Sequence, residues 1–191
     1  AKDEDAGLID VYSGGDLTIT GDGKLTYNKA DDSLYSKYGI GYTVRAGGTA
    51  KVTIESGYFD AGLTCVQAGD SPQVVISGGT FRADSIYSNR YGLLNLMDKS
   101  AASIRVYTGT FENFDPSCSN TENPPANFVA PEATVKQDGI NYVVSHTHQE
   151  ETIPGTAPTC TKSGLTDINF SYDGHFSART GTFEYASAKG L

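Results

Sequence analysis

Three stretches of the chain repeat one pattern of apolar and polar positions. KVTIESGYF (residues 51–59), QVVISGGTF (73–81) and SIRVYTGTF (103–111) share a frame. It runs apolar, any, apolar, two of any kind, Gly, any, Phe. The alternation at Val52/Ile54, Val74/Ile76 and Ile104/Val106 predicts short strands with one buried face. A looser copy, Leu17, Ile19, Gly23 and Leu25, precedes them with one extra residue before its Gly. Upstream of these anchors stand Ile9, Val44, Val66 and Leu96, the last three behind the Gly-led segments GIGYTV, GLTCV and GLLNL. Each repeat therefore predicts a strand, a bend, a second strand, a Gly corner and a short third strand ending in Phe.

The first anchors of the three clear copies are 22 and 30 residues apart. Periods of this size belong to stacked-repeat architectures. Strands this short cannot bury an apolar face alone, but stacking repeat on repeat hides it and pairs the backbone with the repeats above and below. The expectation is an all-β chain folded as a right-handed parallel β-helix of about four coils. A β-sandwich is the plainer competitor, since short strands with Gly turns also fit it. In the stacked arrangement Phe59, Phe81 and Phe111 form an interior ladder. Gly57, Gly79 and Gly109 sit at a corner where the backbone needs positive φ. Further on, Asp138-Gly139 separates residues 133–136 from 141–144 and predicts a β-hairpin capping the last coil. The β-helix with its cap is placed at residues 1–145. The polar, Pro-containing HTHQEETIPGTAPT (146–159) reads as a linker, and residues 160–191 as a small C-terminal appendage.

The repeats differ at one corner. SLYSKYG (33–39) and SIYSNRYG (85–92) resemble each other and interrupt the first and third repeats just before the next Gly-led strand. Insertions at one corner of a stack emerge on one face, often the binding face. They carry Tyr35, Lys37, Tyr38, Tyr87, Asn89, Arg90 and Tyr91. Aromatic faces beside amide and cationic donors suit a glycan or a protein partner. The plainer reading has the same tyrosines packing the loops onto the stack.

Composition narrows the options. The net charge is −9, from 14 Lys+Arg against 23 Asp+Glu, and there is no basic run, which argues against a nucleic-acid partner. No apolar stretch approaches the roughly 20 residues of a membrane-spanning helix. The start, AKDEDAG, is polar and opens on Ala1, as expected of a processed chain. Cys65, Cys118 and Cys160 are widely spaced and form no CxxC pair, so they define no disulfide framework. Cys65, next to an inward Val66, is expected to face outward or into a corner. GDGK (21–24) lacks the phosphate-loop frame and is a turn. No cofactor motif is present. His146, His148 and Cys160 have ligand chemistry but fall in or beside the expected linker without a completing set. Asp60, Asp70, Asp84 and Asp98 follow strands at turns, where Asp is favoured by local backbone hydrogen bonding. They make no in-phase pair of the kind that acid–base or Ca²⁺ chemistry requires.

The segments VVISGGTF, YTGTFENFDPS, ANFVA and QDGINYVV together resemble a family of repeat proteins encoded by gut bacteria and their phages, in which a right-handed parallel β-helix is the predicted fold. The resemblance covers about residues 7–145 and implies the fold far more than an activity. TIPGTAPTCTKSGLTD is similar to a short repeat in surface proteins of Gram-positive gut bacteria, where a glycine-lysine stretch and a CxxCG pair usually follow. Here the chain departs after Asp167 with INFSYDGHF and no further cysteine, which removes support for a metal or disulfide role at Cys160. Together these resemblances imply an extracellular or cell-surface display module, non-enzymatic, able to homo-oligomerise. A virion structural or receptor-binding protein is the second expectation. A polysaccharide lyase or hydrolase is the third, because pectate lyases, polygalacturonases and phage depolymerases use the same architecture.

Overall fold

The computed structural model describes residues 7–27, 41–83, 92–120, 122, 124–146, 149–153 and 168–172. The chain is all-β: no helix occurs among these residues. Two compact units divide it, Ala1–His146 and Thr147–Leu191.

The first unit is built from four repeats. They contribute β1 (Gly7–Val11), β2 (Asp16–Ile19) and β3 (Lys24–Thr26); β4 (Tyr42–Ala46), β5 (Lys51–Ile54) and β6 (Tyr58–Ala61); β7 (Thr64–Ala68) and β8 (Gln73–Ala83); and β9 (Leu94–Leu96) and β10 (Ser103–Glu112). In the last two repeats the second and third strands run on as one. The first strands form a parallel sheet in the order β1-β4-β7-β9. The second strands form another, β2-β5-β8-β10, with Leu17, Val52, Val74 and Ile104 in register. The third strands stack likewise, bringing Leu25, Phe59, Phe81 and Phe111 into line. The in-phase pattern of the sequence is thus an in-register pattern in space.

One register differs from expectation. Ile9, Val44 and Val66 align as read from the sequence, but Val66 pairs with Leu94, not Leu96, which lies opposite Ala68. The link from β9 to β10 is two residues longer than that from β7 to β8, so counting back a fixed distance from Ile104 stops two residues short.

The core follows from this alignment. Val44, Val52, Ile54, Val66, Val74, Ile76, Leu94 and Val106 are almost wholly buried. The rings of Phe59, Phe81 and Phe111 stack at 4.9 Å between centroids and 8° between planes. That distance matches the roughly 4.8 Å spacing of neighbouring strands, so the ladder repeats at the backbone's own period. The glycine corner is as expected: φ is 120° at Gly57, 106° at Gly79 and 152° at Gly109. A second turn, between the first two strands, places Ser13, Gly48 and Asp70 at positive φ in successive repeats. Asp70 accepts a hydrogen bond from Gly48 N at 2.9 Å and so ties one turn to the next.

The C-terminal end is closed. Phe114 and Phe128, from the FDPS and NFVA segments, continue the ring packing from Phe111. Residues 128–130 bond to Val106 on one half of β10. On its other half, β12 (Asn141–His146) pairs antiparallel. β11 (Ala133–Asp138) folds back on β12 through a two-residue loop whose first member, Gly139, has φ 61°. This is the hairpin expected from Asp138-Gly139, and it ends the parallel stack by reversing strand direction.

In the second unit, β13 (Gln149–Ile153) pairs antiparallel with β14 (Ile168–Tyr172). The stretch expected as a linker at 146–159 therefore contains the end of β12 and all of β13. Its polar composition hides a strand because half of this two-stranded ribbon, QEETI, is almost entirely polar while its partner INFSY is not.

Candidate functional site

The topology identifies the corner that carries the insertions. Residues 27–41 join β3 to β4 and residues 84–93 join β8 to β9, whereas β6 reaches β7 through Gly62 and Leu63 alone. Both insertions leave the third-strand stack, one after Leu25 and one after Phe81, and enter the first sheet. Tyr35, Lys37, Tyr38, Tyr87, Asn89, Arg90 and Tyr91 all lie outside the described residues.

The outer face of the first sheet, into which those insertions lead, carries a polar row. Asp10, Arg45, Gln67 and Asn95 occupy equivalent places on β1, β4, β7 and β9. The Arg45 guanidinium lies over the Tyr12 ring, 5.7 Å from its centroid. Asn95 Nδ2 and Leu96 N both donate to Glu122 Oε1, at 3.3 and 3.1 Å. Burial pushes the Glu122 carboxyl above its ordinary range, those two hydrogen bonds opposing the shift in part. Gln67 is 9% exposed and its Oε1 accepts no hydrogen bond. Beside the row, Gly47 and Gly69 form a floor without side chains. A Cβ at Gly47 would meet the Tyr12 ring at 2.2 Å, and one at Gly69 would meet Met97 Sδ at 2.4 Å. The two glycines let Tyr12 and Met97 lie flat on the sheet while staying 41% and 45% exposed. Sequence reasoning followed the inward anchors and passed over this row. Its signal was a polar residue immediately after Val44, Val66 and Leu94.

The candidate carboxylates stand apart from one another in the structure where they are described. Asp60, Arg82 and Glu112 share one outward row, and Arg82 reaches Asp60 Oδ2 at 3.4 Å and Glu112 Oε1 at 3.3 Å. Asp60 in turn raises the Arg82 pKa, with a smaller contribution from Glu112. Asp70 bonds its neighbouring turn, Asp98 lies in the turn after β9, and Asp84 lies outside the described residues. No three His, Cys, Asp or Glu side chains converge on a metal-binding geometry among the described residues. His146 Nδ1 lies 3.3 Å from Tyr107 O; His148 and Cys160 are outside the described residues. Cys65 turns into a corner and is fully buried, its thiol donating to Arg82 O at 3.1 Å and Phe59 O at 3.5 Å. Cys118 is exposed on its loop. No helix among the described residues is long and apolar enough to cross a membrane.

No protein-family model, curated protein or solved structure matches this chain.

Proposed function

We propose that the first unit is a right-handed parallel β-helix serving as an extracellular, non-enzymatic display module, whose corner insertions present a recognition surface to a glycan or a surface protein. The parallel stacking of three strand positions over four repeats supports the solenoid part of this reading. The observation that carries the functional part is the shared corner: two similar Tyr-rich insertions enter one sheet, beside a polar row with a half-exposed Tyr12 and Met97. The in-register stack of β3, β6 and β8 sets the spacing of the points from which the insertions leave. The pairing of Asp60 with Arg82 supports the non-enzymatic side, because an acid–base role needs the carboxylate directed at a substrate and this one meets a neighbouring side chain.

The test is a glycan-array screen of the full chain, repeated with Tyr35, Tyr38, Tyr87 and Tyr91 changed to Ala. Binding that disappears in the variant while the β-rich circular dichroism is unchanged is the expected result. Binding retained in the variant would move recognition away from the insertions. A blank array together with recovery of the chain in purified phage particles would replace the display reading with a virion role.

A further inference from the structure

The outward faces of the sheets carry three arginines among the described residues, and they are not treated alike. Arg45 lies over Tyr12 with Asp10 as its row neighbour. Arg82 is held between Asp60 and Glu112. Arg105, on the outer face of β10, has Val75 as its row neighbour and makes no ion pair or side-chain hydrogen bond with any described residue. In a chain of net charge −9 an arginine left without an acidic partner stands out.

Arg105 also has a cleft in front of it. Residues 128–130 bond to the first half of β10 and the β11–β12 hairpin covers the second, and between them opens a concavity of about 560 Å³. That lies within the range of small-ligand sites, roughly 300–1,000 Å³. Ser117 and Asn127 share its wall with Val129, Pro131 and Val135, and no lining residue is acidic. The polar groups are partly committed in useful ways. Asn127 Oδ1 accepts from Val129 N at 2.9 Å, which fixes the amide and leaves Nδ2 as a donor. Ser117 Oγ donates to Asp115 Oδ1 at 2.6 Å, which leaves its lone pairs as acceptors.

We infer that this cleft binds a carboxylate carried on a hydroxylated ring, an acidic sugar of the uronic-acid class. The Arg105 guanidinium presents a planar fork of donors that matches a carboxylate in a bidentate pair. Asn127 Nδ2 donates to a ring hydroxyl and Ser117 Oγ accepts from one, a donor–acceptor pair that a bare carboxylate leaves unused. Val129, Pro131 and Val135 offer an apolar wall to the C–H face of the ring. The Asp115 carboxylate behind Ser117 and the net charge both disfavour a polyanion, so the ligand carries one or few carboxylates. The lining includes no residue of the corner insertions, and the inference does not rest on them.

The experiment is calorimetric titration of the full chain at low ionic strength with galacturonate, galactose and acetate, repeated with Arg105→Ala, Arg105→Lys and Asn127→Ala. Galacturonate binds, and each comparator is weaker by about tenfold or more, the loss of one charge-assisted pair. Arg105→Ala loses binding by a similar factor and Arg105→Lys recovers part of it, because an ammonium keeps the charge and loses the fork. Arg105 is exposed, so unchanged circular dichroism of its variants shows that the fold is kept. No heat with galacturonate, or equal affinity in Arg105→Ala, overturns the site. Equal binding of galactose overturns the role of the carboxylate, and equal binding of acetate overturns that of the ring. Loss of galacturonate binding in the four-tyrosine variant but not in Arg105→Ala would assign the sugar to the insertions instead.

Discussion

The ring of Phe81 lies 4.9 Å from that of Phe59 and is tilted from it by 8°. Phe111 repeats the relation on the other side. Phe81 is thus packed by a copy of itself above and below, and its side chain is fully buried. Phe81→Ala is expected to cost about 3–5 kcal/mol, the range for deleting a buried aromatic ring. Denaturant titration reads this as a lowered midpoint with an unchanged slope. A shift of less than about 1 kcal/mol would mean that the neighbouring rings close the gap.

Gly78 and Gly23 predict opposite outcomes for the same substitution. A Cβ at Gly78 would lie 2.1 Å from the carbonyl oxygen of Glu55, a backbone atom of the corner after β5 in the repeat below, whereas nothing lies within 4 Å of one at Gly23. Gly78→Ala should therefore force the third repeat off the second and lower the melting temperature sharply. Gly23→Ala should be near neutral, within about 1 kcal/mol. Thermal melts of the two variants beside the parent decide it. Similar melts would show that the inter-strand approach is not a constraint.

Glu122 predicts a pH dependence. Burial raises its folded-state pKa above the unfolded value, about 4.3 for Glu. A raised carboxyl binds its proton more tightly when folded, so its contribution to stability is full below the unfolded pKa. That contribution is lost as pH rises through the folded pKa. Glu122→Gln cannot titrate. The stability of the parent relative to Glu122→Gln should therefore fall as pH rises across this window. Denaturation series at several pH values test the sign. A parent that gains on the variant with rising pH would show that the bonds from Leu96 N and Asn95 Nδ2 outweigh desolvation.

Two cysteines should differ in reactivity. Cys118 is exposed and Cys65 fully buried behind Phe59 and Arg82. Alkylation under native conditions followed by peptide mapping should modify Cys118 and spare Cys65 until denaturant is added. Native modification of Cys65 at a comparable rate would reveal opening of the corner between the third and first strands.

Most of the stack was legible because its signals are periodic. An apolar pair, a glycine and a phenylalanine at constant offsets can be aligned without knowing the fold, and the hairpin at Asp138-Gly139 has a turn chemistry of its own. The misplacement of Leu96 for Leu94 shows the limit of counting. Two added residues in a link change no apolar pattern, yet they move the register, since link length is free where only the strands are held. The polar row of Arg45, Gln67 and Asn95 was passed over: each follows an inward anchor, but the three share no residue type, and the third stands out only once Leu94 is known to be the anchor. Cys65 was half legible: alternation points it away from Val66, but only the bend of the chain decides that away means into a sealed corner. The role of the FDPS and NFVA segments, to carry the phenylalanine packing past the last repeat, needed the register of β10 to be seen.

The hairpin at the C-terminal end also bears on how such a chain can change length over evolutionary time. Of the repeat strands β12 pairs with β10, and each earlier repeat meets its neighbours through the same alignment of Leu17, Val52, Val74 and Ile104. A gene duplication copying residues 62–83 would supply one more layer, about 4.8 Å thick, with matching faces on both sides and the cap untouched. Repeat number is therefore a dial that recombination can turn without redesigning either end. The cleft at Arg105, which belongs to the cap and the last repeat, would travel with that end whatever the number.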